Sequence, residues 1–232
     1  MRRNDLNMEA VLGIVLAVAP CLFWLWAVVR HDDHEAEPWS LVVLALLLGA
    51  VSTQGVLWLQ PFWHGLWLPG SAVVEAFVAT AFAEELWKLL LLLPLLLHHE
   101  VDEPLDGAVY GAAVGLGFAA LENVLYVERS GDAMLALQRA FTATLLHAAC
   151  TACLGVAFAE GKLRRCGLRT PLWMAFGLVV AVGLHGLYDL FLTGDRATAL
   201  VSLLGVLPAA LVLLTVKMRW ARRRSTEFHP LP

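Results

Sequence analysis

Within AFAEELWKLLL, residues 81–91, two adjacent carboxylates and a lysine interrupt an apolar run: Glu84, Glu85 and Lys88. Further along, Phe118, Glu122 and Asn123 stand in FAALEN, His147 and Thr151 bound HAACT, and His185 and Asp189 bound HGLYD. Ionisable side chains in apolar spans are rare, and they usually face a bundle interior or a wet cavity. Gathered in one cavity, such groups can activate water. A glutamate would take a proton from water, and the water would attack a carbonyl. His185, Asn123 or His147 would donate to the developing oxyanion. Asp189, one turn from His185, would fix that ring's orientation and tautomer. This is amide hydrolysis without a covalent intermediate. The same residue types also hold zinc: His147, His185 and a glutamate would make a three-ligand site with water in the fourth position. The sequence leaves both readings open. It contains neither G-x-S-x-G nor H-E-x-x-H, so a serine elbow and the usual zincin motif are unsupported.

Spacing sharpens the set. Glu84 and Lys88, Phe118 and Glu122, His147 and Thr151, and His185 and Asp189 are all four residues apart, so each pair shares a helix face. Glu84 and Glu85 point about 100° apart on a helix of 3.6 residues per turn. One of them therefore faces the centre of a site squarely. Glu84, which shares a face with Lys88, is the favoured base.

Helices must position these residues. The 232-residue chain is 59% hydrophobic and 16% charged, against about 25% charged in soluble domains; its mean hydropathy is +0.71. These values predict an all-α, polytopic integral membrane protein forming one transmembrane domain over residues 1–232. An apolar run of about 20 residues spans the hydrocarbon. Seven runs qualify: Met8–Val29, Leu41–Leu59, Ser71–Leu97, Gly107–Val127, Ala140–Ala159, Leu172–Leu192 and Ala197–Val216. The first follows Arg2 and Arg3 as a signal peptide would, but its length and the lack of a clear small-residue cleavage site favour a retained anchor. Counted inward from the outer ends, Glu84 lies roughly 18 Å deep, Glu122 roughly 8 Å, and His147 and His185 roughly 12 Å. Four spans can thus bring their polar residues to one layer.

Alternating spans place ten Lys/Arg on the C-terminal face and five on the other. The positive-inside rule then predicts a cytoplasmic C-terminus, in what the resemblance below makes a bacterial inner membrane. The basic tail KMRWARRRS reads as an anchor that touches anionic lipid. QPFWHGLWLPG, residues 60–70, reads as an interfacial aromatic belt. Glu75 reads as interfacial, HHEVDEPLDG as a polar turn, and the cluster His31, Asp32, Asp33, His34 and Glu35 as a solvated loop. Gly111, Gly115 and Gly117 predict close helix approach. Cys150 and Cys153 form a C-x-x-C, read as small-residue packing before a redox pair. No basic-aromatic pattern suggests nucleic acid.

In order on successive spans, EELWK (84–88), FAALEN (118–123), HAACT (147–151) and HGLYD (185–189), together with DEPLDGAVYGAAVGLGFAALENVLY, resemble the PrsW family of intramembrane proteases. That family lies within the superfamily of CAAX prenyl endopeptidases and bacteriocin-processing membrane proteases. The resemblance covers about residues 72–192, the expected catalytic core. It implies site-1-type cleavage of a membrane-anchored protein such as an anti-sigma factor, on the extracytoplasmic side. It implies a catalytic set of Glu84 or Glu85, Glu122, His147 and His185, with glutamic-type chemistry and no metal cofactor, although metalloprotease readings exist. Lys88, Asn123, Asp189, Phe118 and Thr151 are the expected supporting residues. Glu122 stands where the prenyl-endopeptidase branch carries histidine, which weakens the case for a prenylated substrate. Two other classes compete. A non-catalytic scaffold would use the cluster to hold helices together. A proton-coupled carrier would relay protons through it, but no inverted repeat is present.

Overall fold

The computed structural model describes residues 3–30, 36–66, 70–164 and 170–228; side chains at residues 3–10, 60, 63–66 and 225–228 lie outside that description. The acidic and histidine-bearing residues 31–35, part of the 60–70 aromatic stretch and Cys166 fall outside it. Among the described residues there is no strand.

Ten α-helical segments follow one another: α1 (Arg3–Arg30), α2 (Trp39–Leu66), α3 (Ala72–Val74), α4 (Ala83–Leu96), α5 (Pro104–Ser130), α6 (Ala133–Ala140), α7 (Ala143–Leu163), α8 (Thr170–Leu192), α9 (Arg196–Val201) and α10 (Leu207–Phe228). Two π-helical segments, Glu75–Phe82 and Ser202–Val206, join α3 to α4 and α9 to α10. Among the described residues, six stretches are long and apolar enough to cross a membrane. The third expected span, Ser71–Leu97, is the one not among them; it is helical over residues 72–96, but it is broken by the first π segment and carries three carboxylates and a lysine. Residues 60–66, assigned above to an aromatic loop, continue α2, and Phe62 is exposed on it. The connection between the fourth and fifth expected spans holds a short helix, α6.

α5 and α7 form the centre of the bundle: 72% and 89% of their apolar windows are buried, against 22–33% for the other four. Small residues let them touch. A Cβ on Gly155 would stand 1.9 Å from the Gly107 carbonyl oxygen. Cβ atoms on Gly111 and Gly115 would stand 2.4 and 2.5 Å from the carbonyl oxygens of Thr151 and His147. The glycines of α5, four residues apart, thus seat the backbone of the helix that carries His147, as small-xxx-small packing does where lipid removes the hydrophobic drive between helices. Gly117 faces α2, where its Cβ would stand 1.9 Å from the Leu46 carbonyl oxygen.

The ends of the elements follow from local chemistry. Pro104 opens α5, and Asp106 Oδ2 accepts the N–H groups of Asp102 (2.9 Å) and Glu103 (2.8 Å). Lys162 at the end of α7 ties the preceding turn by donating to the carbonyls of His98 (2.6 Å) and Val101 (2.9 Å). Asp195 caps α9 by accepting the Thr198 N–H, a bond that holds its carboxyl below the usual range. Cys21, Cys150 and Cys153 are buried free thiols, and Cys150 and Cys153 pack in the α7 core.

Candidate active site

The ionisable groups of α4, α5, α7 and α8 meet in the interior. α4 brings two carboxylates that differ in surroundings. Glu85 is fully buried, and its Oε1 accepts from Lys88 Nζ (2.8 Å) and lies 2.9 Å from His185 Nδ1. Glu84 lies on the wall of a cavity of about 450 Å³. Its Oε2 is buried without a hydrogen bond, 3.7 Å from Lys88 Nζ and 3.8 Å from His185 Nε2. Adjacent positions on one helix thus give one sealed carboxylate and one open one.

Lys88 is the hub. Its ammonium also lies 2.8 Å from His147 Nδ1 and 4.0 Å over the Phe118 ring. An ammonium only donates, so His147 Nδ1 accepts and its Nε2–H faces Glu122 Oε2 at 2.9 Å. His185 has carboxylates on both nitrogens: Glu85 on Nδ1, and Asp189 Oδ2 3.3 Å from Nε2 with Glu84 beyond. A doubly protonated ring satisfies that arrangement. The two imidazoles pack edge to face, centroids 4.9 Å apart.

Several expected residues take other places. Asn123 is buried behind the cavity: its Nδ2 donates to Thr144 Oγ1 (3.0 Å) and its Oδ1 accepts from Arg139 Nε (2.6 Å). Its amide is committed there and does not line the cavity. Thr151 Oγ1 donates to the carbonyl of His147 on its own helix (3.0 Å), a back-bond typical of helical threonine, and stays out of the cavity. Glu75, read as interfacial, is exposed and also lines the cavity.

Two cavity residues, Arg139 and Tyr188, carry no role in the sequence reading. Arg139, at the end of α6, donates through Nη2 to Glu122 Oε2, holds Asn123 through Nε, and stacks over the Tyr126 ring at 3.9 Å. The signal was a lone arginine one residue before the expected start of the fifth span. Tyr188 is buried on α8 and lines the same cavity.

The π segment from Glu75 to Phe82 forms the cavity wall opposite α5, with Ala76 and Thr80 facing in. π-helical turns recur at functional sites because they re-aim the following side chains; here the next residues are Ala83, Glu84 and Glu85. Glu84, His147 and His185 also bring one ligand atom each within 4.8 Å of the others. In type and number this set fits a catalytic zinc. To use His147 Nδ1, an ion would have to displace Lys88 Nζ from it.

Carboxylates, imidazoles and a cation thus gather around a cavity within a bundle of helices apolar enough to cross a membrane, an arrangement that can activate water. The comparisons make this specific. The family described as "PrsW family intramembrane metalloprotease" matches residues 37–217. Protease PrsW of Geobacillus kaustophilus is 35% identical over 185 residues, covering 79% of this chain and 81% of its own. Protease PrsW of Bacillus subtilis is 34% identical over 184 residues, covering 78% and 82%. Protease PrsW of Oceanobacillus iheyensis is 28% identical over 219 residues, covering 94% and 98%. No solved structure matches the chain. The chain belongs to the PrsW family and is an integral membrane protein and an intramembrane protease.

Proposed function

We propose that this protease hydrolyses a peptide bond of a membrane-anchored protein, in the manner of site-1 cleavage of an anti-sigma-factor-like regulator, with water activated by Glu84. The observation that carries the choice of base is that the Glu84 carboxylate lines the cavity, whereas Glu85 does not line it and is bonded through Oε1 to Lys88 and His185; each glutamate has an Oε2 without a hydrogen bond. Glu84 takes a proton from water, and the resulting hydroxide attacks the scissile carbonyl carbon. His185 Nε2, 3.8 Å from Glu84 Oε2, donates to the oxyanion as the tetrahedral intermediate forms. When the C–N bond breaks, the proton on Glu84 passes to the leaving amine. Glu85, Lys88, His147 and Glu122 hold the geometry. The excess of Lys and Arg on the C-terminal face supports a cytoplasmic C-terminus, which puts the cluster in the outer half of the membrane.

The proximity of Glu84, His147 and His185 supports a second reading in which these three hold zinc. Such an ion would polarise the carbonyl and acidify its bound water.

One experiment tests both readings. A single-span peptide substrate is incubated with purified wild type, Glu84→Gln and Glu85→Gln, each with and without a strong zinc chelator. Loss of cleavage in Glu84→Gln with no effect of chelator supports the carboxylate mechanism. Chelator-sensitive cleavage restored by zinc moves the site to metal chemistry. Normal cleavage by Glu84→Gln overturns the assigned base.

A further inference from the structure

On the side of α7 away from the catalytic cluster lies a second cavity of about 570 Å³, between α1 and α10. α7 turns Leu146 and His147 toward the first cavity and Ala148 toward this one. Val28 forms one wall, and Leu214 and Met218 the other. Along α10 the lining begins at Leu211 and ends at Arg219 and Arg222. The eleven helical steps from Leu211 to Arg222 rise about 16 Å, close to the roughly 15 Å of hydrocarbon in one leaflet. Trp220 stands between the two arginines, with Lys217 Nζ 5.6 Å and Arg224 Cζ 5.7 Å from its ring centroid. A tryptophan flanked by cations marks the depth of the lipid headgroups.

An apolar groove one leaflet long, ending in two guanidinium groups at headgroup depth, has the chemistry of one molecule. We propose that this groove binds an anionic phospholipid: one acyl chain lies along Leu214 and Met218 against Ala148, and the phosphate sits on Arg219 and Arg222. Guanidinium groups suit that phosphate because they pair with its oxygens in a bidentate fork. The bound chain packs on the back of the helix that carries His147. The site is separate from the proteolytic cavity, and the proposal does not depend on which group activates water.

The test uses the full chain reconstituted in nanodiscs of phosphatidylcholine with phosphatidylglycerol, re-extracted into detergent and washed, with retained lipid counted by mass spectrometry. Wild type is expected to retain about one phosphatidylglycerol per chain and little phosphatidylcholine. Arg219→Gln/Arg222→Gln is expected to weaken phosphatidylglycerol affinity about 30-fold, from two headgroup contacts, and so to lower its retention after washing. Leu214→Trp, which fills the groove without changing charge, is expected to lower it as well. Equal retention of the two lipids by wild type, or undiminished phosphatidylglycerol in the double variant, overturns the proposal. Displacement of the lipid by millimolar inorganic phosphate overturns the acyl-chain part, because a headgroup-only site would be sensing free phosphate.

Discussion

Replacing Lys88 with methionine tests the idea that one ammonium holds the buried ionisable cluster together. Methionine keeps most of the apolar stem, so the change removes charge more than volume. The side chain is fully buried; its nitrogen is 2.8 Å from Glu85 Oε1 and 3.7 Å from Glu84 Oε2. At an effective dielectric constant of about 20, those separations correspond to attractions of about 6 and about 4.5 kcal/mol. Dehydrating the ammonium costs several kcal/mol and offsets much of this. What remains is the penalty of leaving carboxylates buried without their cation, about 3–5 kcal/mol where such pairs have been broken. Lys88→Met is therefore expected to lose about 3–5 kcal/mol of stability, read by equilibrium unfolding of the purified protein in mixed micelles, together with cleavage. Adding Glu85→Gln removes the orphaned charge, so the double variant is expected to regain at least half of the lost stability while remaining inactive. A Lys88→Met protein within about 1 kcal/mol of wild type, the range of an exposed ion pair, refutes the reasoning. So does a double variant less stable than the single one.

Two further outcomes follow from the same geometry. Arg139→Gln removes a charge-assisted bond to Glu122, a change worth about 1.5–3 kcal/mol, so kcat is expected to fall about 10–100-fold with KM unchanged. Arg139→Lys is expected to restore part of that loss, and on a Glu122→Gln background Arg139→Gln is expected to add little; a full additional loss there would show that Arg139 does not act through Glu122. Gly155→Ala places a methyl 1.9 Å from the Gly107 carbonyl oxygen and is expected to destabilise by about 1–3 kcal/mol or more. Gly183→Ala, where the methyl meets nothing within 4 Å, is expected to be neutral or slightly stabilising in the same unfolding assay.

Much of the fold was visible in the apolar runs because a membrane helix must satisfy its backbone internally and be apolar over its length. Less visible was whatever tertiary packing decides. The π segment at Glu75–Phe82 changes hydrogen-bond register without any change in residue type that marks it. α6, eight residues of MLALQRA and its leading alanine, is too short for a span and amphipathic enough to pass for a loop. For the site, spacing put Glu84 with Lys88 and His185 with Asp189 on shared faces. It did not say where each side chain's hydrogen bonds go. Asn123 turns to Arg139 and Thr144, and Thr151 turns to its own backbone. Both choices depend on rotamers and on neighbours distant in sequence. Arg139 was missed for the same reason: its partners Glu122 and Asn123 sit across a turn and a short helix.

Adjacency of the two glutamates complicates how loss of activity should be read. Substituting either one can abolish cleavage for different reasons. Glu85 is bonded to Lys88 and His185, so Glu85→Gln strips a counter-charge from a buried ammonium and is expected to cost about 3–5 kcal/mol along with activity. Glu84 Oε2 has no hydrogen bond to lose, and its nearest cationic neighbours are 3.7 and 3.8 Å away. Glu84→Gln leaves the hydrogen bonds of Glu85 to Lys88 and His185 in place and loses only longer attractions, so it is expected to cost clearly less stability than Glu85→Gln. Stability and cleavage measured on the same preparations thus separate a base from a scaffold residue, where cleavage alone would implicate both. A Glu84→Gln protein that is as unstable as Glu85→Gln would make the two carboxylates one structural unit and remove the reason to single out Glu84.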